Sequence, residues 1–349
     1  MSALVLIVPG CLDTLTGGYG YDRGMAAGLR DRGWSVDVRE LDGSFPDPTP
    51  AAREQAARTL AALPDGATVL VDGLALGAMP AEVEREEARL RLVALVHHPL
   101  AAEVGVELAA ALHASERRAL AAARLVIVTS EATAGALAGY DVGRDRIAVV
   151  EPGTDRAPLA RGSSGGFIQL LCVATLTPRK GHEVLLRALA AVPDGNWRLT
   201  CVGSVRRHPP TVERLRALML AEGLANRVSL VGEIDASALA AHYDGADLFV
   251  LPTLYEGYGM AVAEALARGL PVVGTATGAI PELVGGGAGV VVPPGDSERL
   301  AAALSDVLTD ASARARLARG ARRVREHLPS WPEAARKMAE ALERAASNG

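Results

Sequence analysis

Short apolar runs rich in β-branched residues alternate with longer Ala-rich stretches along the whole chain. In the first half the runs are Ala3–Pro9, Trp34–Arg39, Thr68–Asp72, Leu92–Val96, Leu125–Thr129 and Ile147–Val150. Between them, Tyr21–Asp31, Pro50–Leu63, Glu103–Ala122 and Glu131–Ala138 carry helical patterns. Strand, helix, strand at this rhythm predicts parallel sheets covered by helices. The rhythm pauses at Glu151–Gly166, EPGTDRAPLARGSSGG, whose Pro, Gly and Ser residues mark a linker. It then resumes with Phe167–Ala174, Trp197–Val202, Val228–Leu230, Leu248–Leu251, Val272–Gly274 and Val290–Val292. The pattern predicts an α/β protein of two doubly wound, Rossmann-like domains, residues 1–158 and 159–330. A last amphipathic helix, Pro332–Ala346, falls within a tail of residues 331–349. The Arg-rich stretch Ala311–Glu326 reads as a solvated helix face, because no aromatic residues are interleaved for base stacking.

A length of 349 residues suits two domains of ordinary size. Hydrophobic residues make up 49% of the chain but aromatics only 3%, so the cores must be built from Ala, Val and Leu. No apolar run approaches the ~18 residues of a membrane-spanning helix. Met1–Gly10 has neither a basic leader nor a cleavage site and reads as a first strand, so a cytoplasmic protein is expected. The net charge of −5 argues against general binding to nucleic acid or anionic lipid. Residues 1–158 carry a net −7 and residues 159–349 a net +2, which directs any polyanionic ligand to the second half. Cys11, Cys172 and Cys201 are scattered and lack metal-ligand spacing, so neither a disulfide framework nor a zinc site is expected.

In open α/β sheets, ligands bind beyond the carboxyl ends of the strands, so the loops there are where chemistry is sought. After the first strand come Gly17, Gly18, Gly20 and Gly24, with Glu40 at the end of the second strand. Glycines before a helix start suit an approaching anion, but the loop is longer, and its last spacing wider, than a dinucleotide fingerprint requires. A flexible loop is an equal reading. After the fourth strand stand His97 and His98. A histidine there can accept a proton or bond a hydroxyl, or it can simply end a strand at the surface. Metal binding is disfavoured, because adjacent strand positions face opposite ways and no third ligand is evident.

The second half is richer. Pro178-Arg179-Lys180-Gly181-His182 puts two cations before a helix N-terminus, where charge and dipole both favour an anion. Only two lysines exist in the chain, Lys180 and Lys337. Leu251–Ala265 runs from a buried strand through Pro252, Glu256, Gly257, Tyr258, Gly259 and Met260 into a helix bearing Glu264. Backbone N–H groups at such a start can hold phosphate or sugar oxygens, and two carboxylates at this separation can hold different hydroxyl pairs of one extended ligand. Gly274–Glu282 follows the next strand and could meet the same ligand.

In this order and spacing the pieces resemble the retaining glycosyltransferases of the two-Rossmann (GT-B) architecture, the family 4-like glycosyl transferases group 1 that include glycogen-synthase-like and sucrose-synthase-like enzymes. The resemblance covers essentially the whole chain and implies a cleft between the domains. It implies that Arg179 and Lys180 face a donor diphosphate and that Glu264 binds the ribose. Glu256 would bind the donor sugar, with the amides of Gly257, Tyr258, Gly259 and Met260 beside it. Gly17 and Gly18 would approach the diphosphate, His97 the transferred sugar, and Val231 the base. The last helix would return to the first domain, and Glu151–Gly166 would act as a hinge. Thr175 stands where many relatives carry an Arg, and Pro152-Gly153 where many have Asn-Gly.

No Asp-x-Asp is found, so catalysis without a metal or other cofactor is expected. The co-substrate would be a nucleoside-diphosphate sugar, with uridine favoured. The acidic first half points to a small-molecule acceptor over an anionic lipid. Three competing readings are a nicotinamide-dependent dehydrogenase resting on Gly18, Gly20 and Glu40, a nucleotide-sugar epimerase or phosphorylase, and a two-lobed sugar-binding protein. The dehydrogenase leaves the Lys180 and Glu256–Glu264 segments unexplained.

Overall fold

The computed structural model describes residues 2–102, 106–192 and 196–347. It divides into two compact units, one of Met1–Gly153 with Pro329–Gly349 and the other of Thr154–Leu328. The first unit holds β1 (Ala3–Pro9), β2 (Ser35–Leu41), β3 (Thr68–Asp72), β4 (Arg91–Val96), β5 (Leu125–Val128) and β6 (Ile147–Val149) in an all-parallel sheet of order β2-β1-β3-β4-β5-β6. The second holds β7 (Ile168–Val173), β8 (Trp197–Val202), β9 (Val228–Gly232), β10 (Leu248–Leu251), β11 (Val272–Thr275) and β12 (Gly289–Val292), ordered β12-β11-β10-β7-β8-β9 and again all parallel.

The central strands β3 and β10 are buried at every position. A parallel sheet covered on both faces requires this, and it explains why these runs are continuously apolar where a one-sided sheet would alternate. In each unit the order reverses once, between β1 and β3 and between β7 and β10. These reversals leave a crevice at the strands' carboxyl ends, where ligands of such sheets bind.

Helices start where short polar side chains can cap them. Thr49 accepts from Ala52 N, Asp235 from Ala238 N and Asp296 from Arg299 N. The helix expected at Tyr21–Asp31 opens four residues earlier, at Gly17, because Thr16 is its cap. Gly17 and Gly18 therefore form its first turn and do not lie in a loop before it. The helix expected from Glu103 is described from Val106 to Ala122, and its first three positions fall outside the described residues. The segment Glu151–Gly166 is largely anchored. Lys337 reaches Glu151 at 3.4 Å in the first unit, while in the second Ala160 N donates to Arg268 O at 2.9 Å and Ser163 N to Asp247 at 3.1 Å.

The helix Trp331–Ser347 belongs to the first unit and packs on the helix Gly17–Asp31. Glycines make the fit possible. A Cβ on Gly24 would stand 2.2 Å from the Trp331 ring, one on Gly28 2.5 Å from Ala335, and one on Gly153 2.4 Å from the Trp331 backbone.

Candidate active site

The switch point of the second unit gathers most of the residues expected to carry chemistry. The loop after β7 forms a single 3-10 turn, Pro178–Lys180, ended by Gly181 at φ 67°. Gly181 is fixed by packing as well as by φ, since a Cβ there would lie 2.1 Å from the carbonyl oxygen of Pro252. That contact and the bond from Leu254 N to Arg179 O (2.7 Å) seat this turn against the loop after β10. The side chains complete the junction. Lys180 Nζ lies 2.6 Å from Glu256 Oε2, and Arg179 donates to Tyr255 O at 2.9 Å. Thr253, fully buried, donates to Tyr255 O at 2.7 Å.

The next loop braces the second one. Thr277 Oγ1 accepts from Glu256 N at 3.1 Å, Ala279 N donates to Gly257 O at 3.1 Å, and a Cβ on Gly278 would lie 2.0 Å from Glu256 O. Gly259, at φ 97°, then opens the helix Met260–Ala267, which no side chain caps. The result is an ion pair about five-sixths withdrawn from solvent on each side, beside a helix start whose dipole attracts negative charge.

Glu264 sits one to two turns into that helix. Tyr243 OH donates to its Oε2 at 2.9 Å, and Arg268 stacks over the Tyr243 ring at 4.3 Å. Burial raises the Glu264 pKa, against the lowering influence of the Tyr243 hydrogen bond and the Arg268 charge. Val231 lies on the edge strand β9, two strands from β7, and is exposed.

His97 and Gly18 meet in the first unit, at its own switch point. A Cβ on Gly18 would lie 3.4 Å from the His97 ring. No third ligand near the histidine is evident in the sequence, but the fold supplies two. Asp22, from the first helix, and Asp72, the last residue of β3, each bring a carboxylate oxygen to 3.3 Å from His97 Nε2. Burial alone would lower the His97 pKa, but the charges and hydrogen bonds of Asp22 and Asp72 raise it well above the ordinary value. Asp72 could have been found, since it stands at the carboxyl end of an apolar run; Asp22 carried no signal beyond its closeness to the glycines.

The cysteines are also less scattered than their spacing implies. Cys172 on β7 and Cys201 on β8 are register partners, and His182 Nε2 lies 3.7 Å from Cys172 Sγ. All three are buried, and their ligand atoms lie within 4.8 Å of one another.

The chain's sequence matches the family described as Glycosyl transferases group 1 over residues 159–324 and Glycosyltransferase Family 4 over residues 40–157. It belongs to this family of glycosyltransferases. It is 28% identical to an MMP alpha-(1->4)-mannosyltransferase of Mycolicibacterium hassiacum, over 89% of this chain and 79% of that protein. A D-inositol 3-phosphate glycosyltransferase of Salinispora tropica is 31% identical over 66% of this chain and 55% of its own length. The chain thus spans about half the length of that second relative.

Among solved structures, sucrose-phosphate synthase of Thermosynechococcus elongatus superposes with a TM-score of 0.84 at 22% identity, with both chains covered completely. Anabaena HepE in complex with UDP-glucose gives 0.80 at 20% identity, covering 99% of this chain and 100% of that one. The fold is therefore the two-Rossmann architecture of these glycosyltransferases. Among the described residues, no helix is long and apolar enough to cross a membrane.

Proposed function

We propose that this glycosyltransferase moves a sugar from a nucleoside-diphosphate sugar, with uridine the favoured base, to a small-molecule acceptor, with retention of configuration and without a metal. The observation that carries the reading is the junction of Lys180 and Glu256 across the β7/β10 switch point, beside the uncapped start of the helix Met260–Ala267. A cation and a dipole end suit a diphosphate. Glu256 and Glu264, on the same loop and helix, suit hydroxyls of the sugar and ribose. HepE, of the same fold, is known in complex with UDP and with UDP-glucose, which supports uridine. The mannosyltransferase and inositol-phosphate glycosyltransferases among the relatives support sugar transfer, and an acceptor of small size.

The chemistry follows from charge. As the bond from the anomeric carbon to the β-phosphate oxygen breaks, negative charge grows on the diphosphate. Lys180, Arg179 and the helix-start amides stabilise that charge in place. The acceptor oxygen bonds to the same face of the anomeric carbon, and its proton passes to the departing phosphate. The Glu256 carboxylate holds sugar hydroxyls and is not itself the nucleophile. In the first unit, His97 serves the sugar side of the reaction.

The test is thermal stabilisation by UDP, GDP, ADP, their sugar conjugates and NAD(H), all with EDTA present, since ligands that bind the native state raise its melting temperature. A shift with one nucleoside diphosphate, lost in Lys180→Ala and Glu264→Ala, is expected. A shift with NAD(H) alone would overturn the reading.

A further inference from the structure

We propose that Asp22 and Asp72 are positioning residues that hold His97 doubly protonated, so that its imidazolium serves, through Nδ1–H, as a fixed hydrogen-bond donor to an oxygen of the sugar substrate. Sequence position alone leaves His97 free to be a base or a donor, and the geometry decides between them. Nε2 is buried and stands 3.3 Å from Asp22 Oδ1 and 3.3 Å from Asp72 Oδ2. A lone pair on Nε2 would face two carboxylates, so this nitrogen carries a hydrogen, and Nδ1 is the ring nitrogen left for a ligand.

The second proton follows from charge. Asp22 is 1% exposed and Asp72 3%. Asp72 spends one oxygen on the N–H of Leu74 at 2.8 Å, whereas Asp22 has no hydrogen-bond partner closer than His97. Around a neutral ring this would leave two buried anions with one shared N–H between them, which is costly. A cationic ring compensates one of the two. The Arg23 charge offsets Asp22 only in part, behind that of His97. Among the described residues, Tyr21 and Arg23 are the further titratable groups against the site. The Tyr21 and His97 rings meet in a T-shaped arrangement with centroids 5.2 Å apart, but Tyr21 donates its hydroxyl to Val150 O. Arg23 spends its NH1 on Leu12 O and Thr14 O.

Gly18 leaves room beside the ring, where a Cβ would come to 3.4 Å from it, and Thr129 Oγ1 donates to the His97 backbone carbonyl at 3.3 Å.

What the imidazolium touches rests on the proposed transfer reaction; its charge and tether do not. The test therefore begins with the full-length protein free of ligand. Nitrogen NMR of the 15N-histidine-labelled chain is expected to show both His97 nitrogens protonated from pH 6 to pH 8. A neutral ring at pH 7 would overturn the proposal whatever the enzyme transfers.

The second arm is a pH profile of transfer for the wild type, the two single variants Asp22→Asn and Asp72→Asn, and the double variant, each checked for an unchanged melting curve. With the carboxylates gone, burial should leave His97 titrating below its ordinary value of about 6.5, so the double variant should lose at least about 25-fold in rate between pH 6 and pH 8. The wild type should show no such loss, and each single variant an intermediate one. A double variant with the wild-type profile would overturn the proposal, leaving the carboxylates a merely structural role. Saturable Mg2+ or Mn2+ binding to the wild type, abolished by Asp22→Asn, would also overturn it, making the three groups metal ligands. Failure of transfer with every nucleotide sugar, alongside a protonated His97, would refute the transfer reading and leave the charge assignment standing.

Discussion

The two switch points share a topology and differ in sign. At β7/β10 a lysine meets one glutamate, both only about one-sixth exposed and beside a helix start. At β1/β3 a single imidazole meets two aspartates, withdrawn beneath the first turn of a helix. Among the described residues the carboxylates under 9% exposed, Asp22, Asp72, Glu82 and Glu116, all lie in the first unit, while Glu264 in the second is only partly exposed. The second unit keeps its buried polar positions for hydroxyls and one histidine, such as Thr253, Thr275 and His182. One site is thus open to an incoming anion that can compete for Lys180. The other has settled its charges internally and offers a fixed donor. Net charge by halves reflects this only coarsely, because what matters is where each carboxylate is buried and what faces it.

The largest effect that would break this comparison is at Lys180. Lys180→Ala removes a cation paired with Glu256 and should lower kcat by roughly 10²–10³-fold, as loss of one preorganised charge-stabilising donor does. A steady-state assay checks it, and a change confined to KM would assign Lys180 to ground-state binding. Next in size is a contrast between two glycines. Gly278→Ala places a Cβ 2.0 Å from the Glu256 carbonyl at φ 55°, so denaturant melts should show a loss of several kcal/mol, the scale of forced backbone strain combined with overpacking. Gly18→Ala meets only the His97 ring, at 3.4 Å, and lies in a helix, so it should keep or slightly raise stability while impairing transfer.

A smaller effect probes the buried acids alone. Glu116 accepts a bond from Leu100 N at 2.9 Å, and burial raises its pKa to about 7 despite that bond. The folded state therefore holds a proton that the unfolded chain releases near pH 4.5, so Glu116 contributes stability below that value and the contribution is lost as pH rises to about 7. Glu116→Gln should remove this slope and melt higher than wild type at pH 8, by at most ~3 kcal/mol. At pH 4.5 the two should melt alike. The smallest expected effect is Tyr243→Phe, which deletes the hydrogen bond to Glu264 and should weaken nucleoside-diphosphate affinity by a few-fold, the worth of about 1 kcal/mol. Isothermal titration would resolve it, and unchanged affinity would detach Glu264 from the donor.

All twelve expected strands exist, with ends displaced by at most two residues, because a buried parallel strand is written as a continuous apolar run bounded by turn residues. Lys180 and Glu256 were legible as separate loop residues with anion and hydroxyl chemistry. Their contact was not, since it depends on β7 and β10 being neighbours, a fact of strand order that no local pattern carries. The same blindness hid Asp22 and Asp72 behind His97 and made Cys172 and Cys201 look unrelated when they are register partners. Val231 is placed near the base by resemblance alone, and it stands on the edge strand β9. Residues fixed by their own segment were readable; partnerships made across strands were not.

The helix Trp331–Ser347 completes the first unit with a segment made after the second unit. On the ribosome, the groove lined by Gly24, Gly28 and Gly153 emerges early and waits while the entire second unit is synthesised. At about 5–20 residues per second that delay is on the order of 10–40 s. Throughout it, the first unit is a nascent domain lacking one wall, and Trp331 is the plug that ends its exposure. A premature stop shortly before Trp331 would therefore spare the unit just translated and cripple the one at the other end of the message.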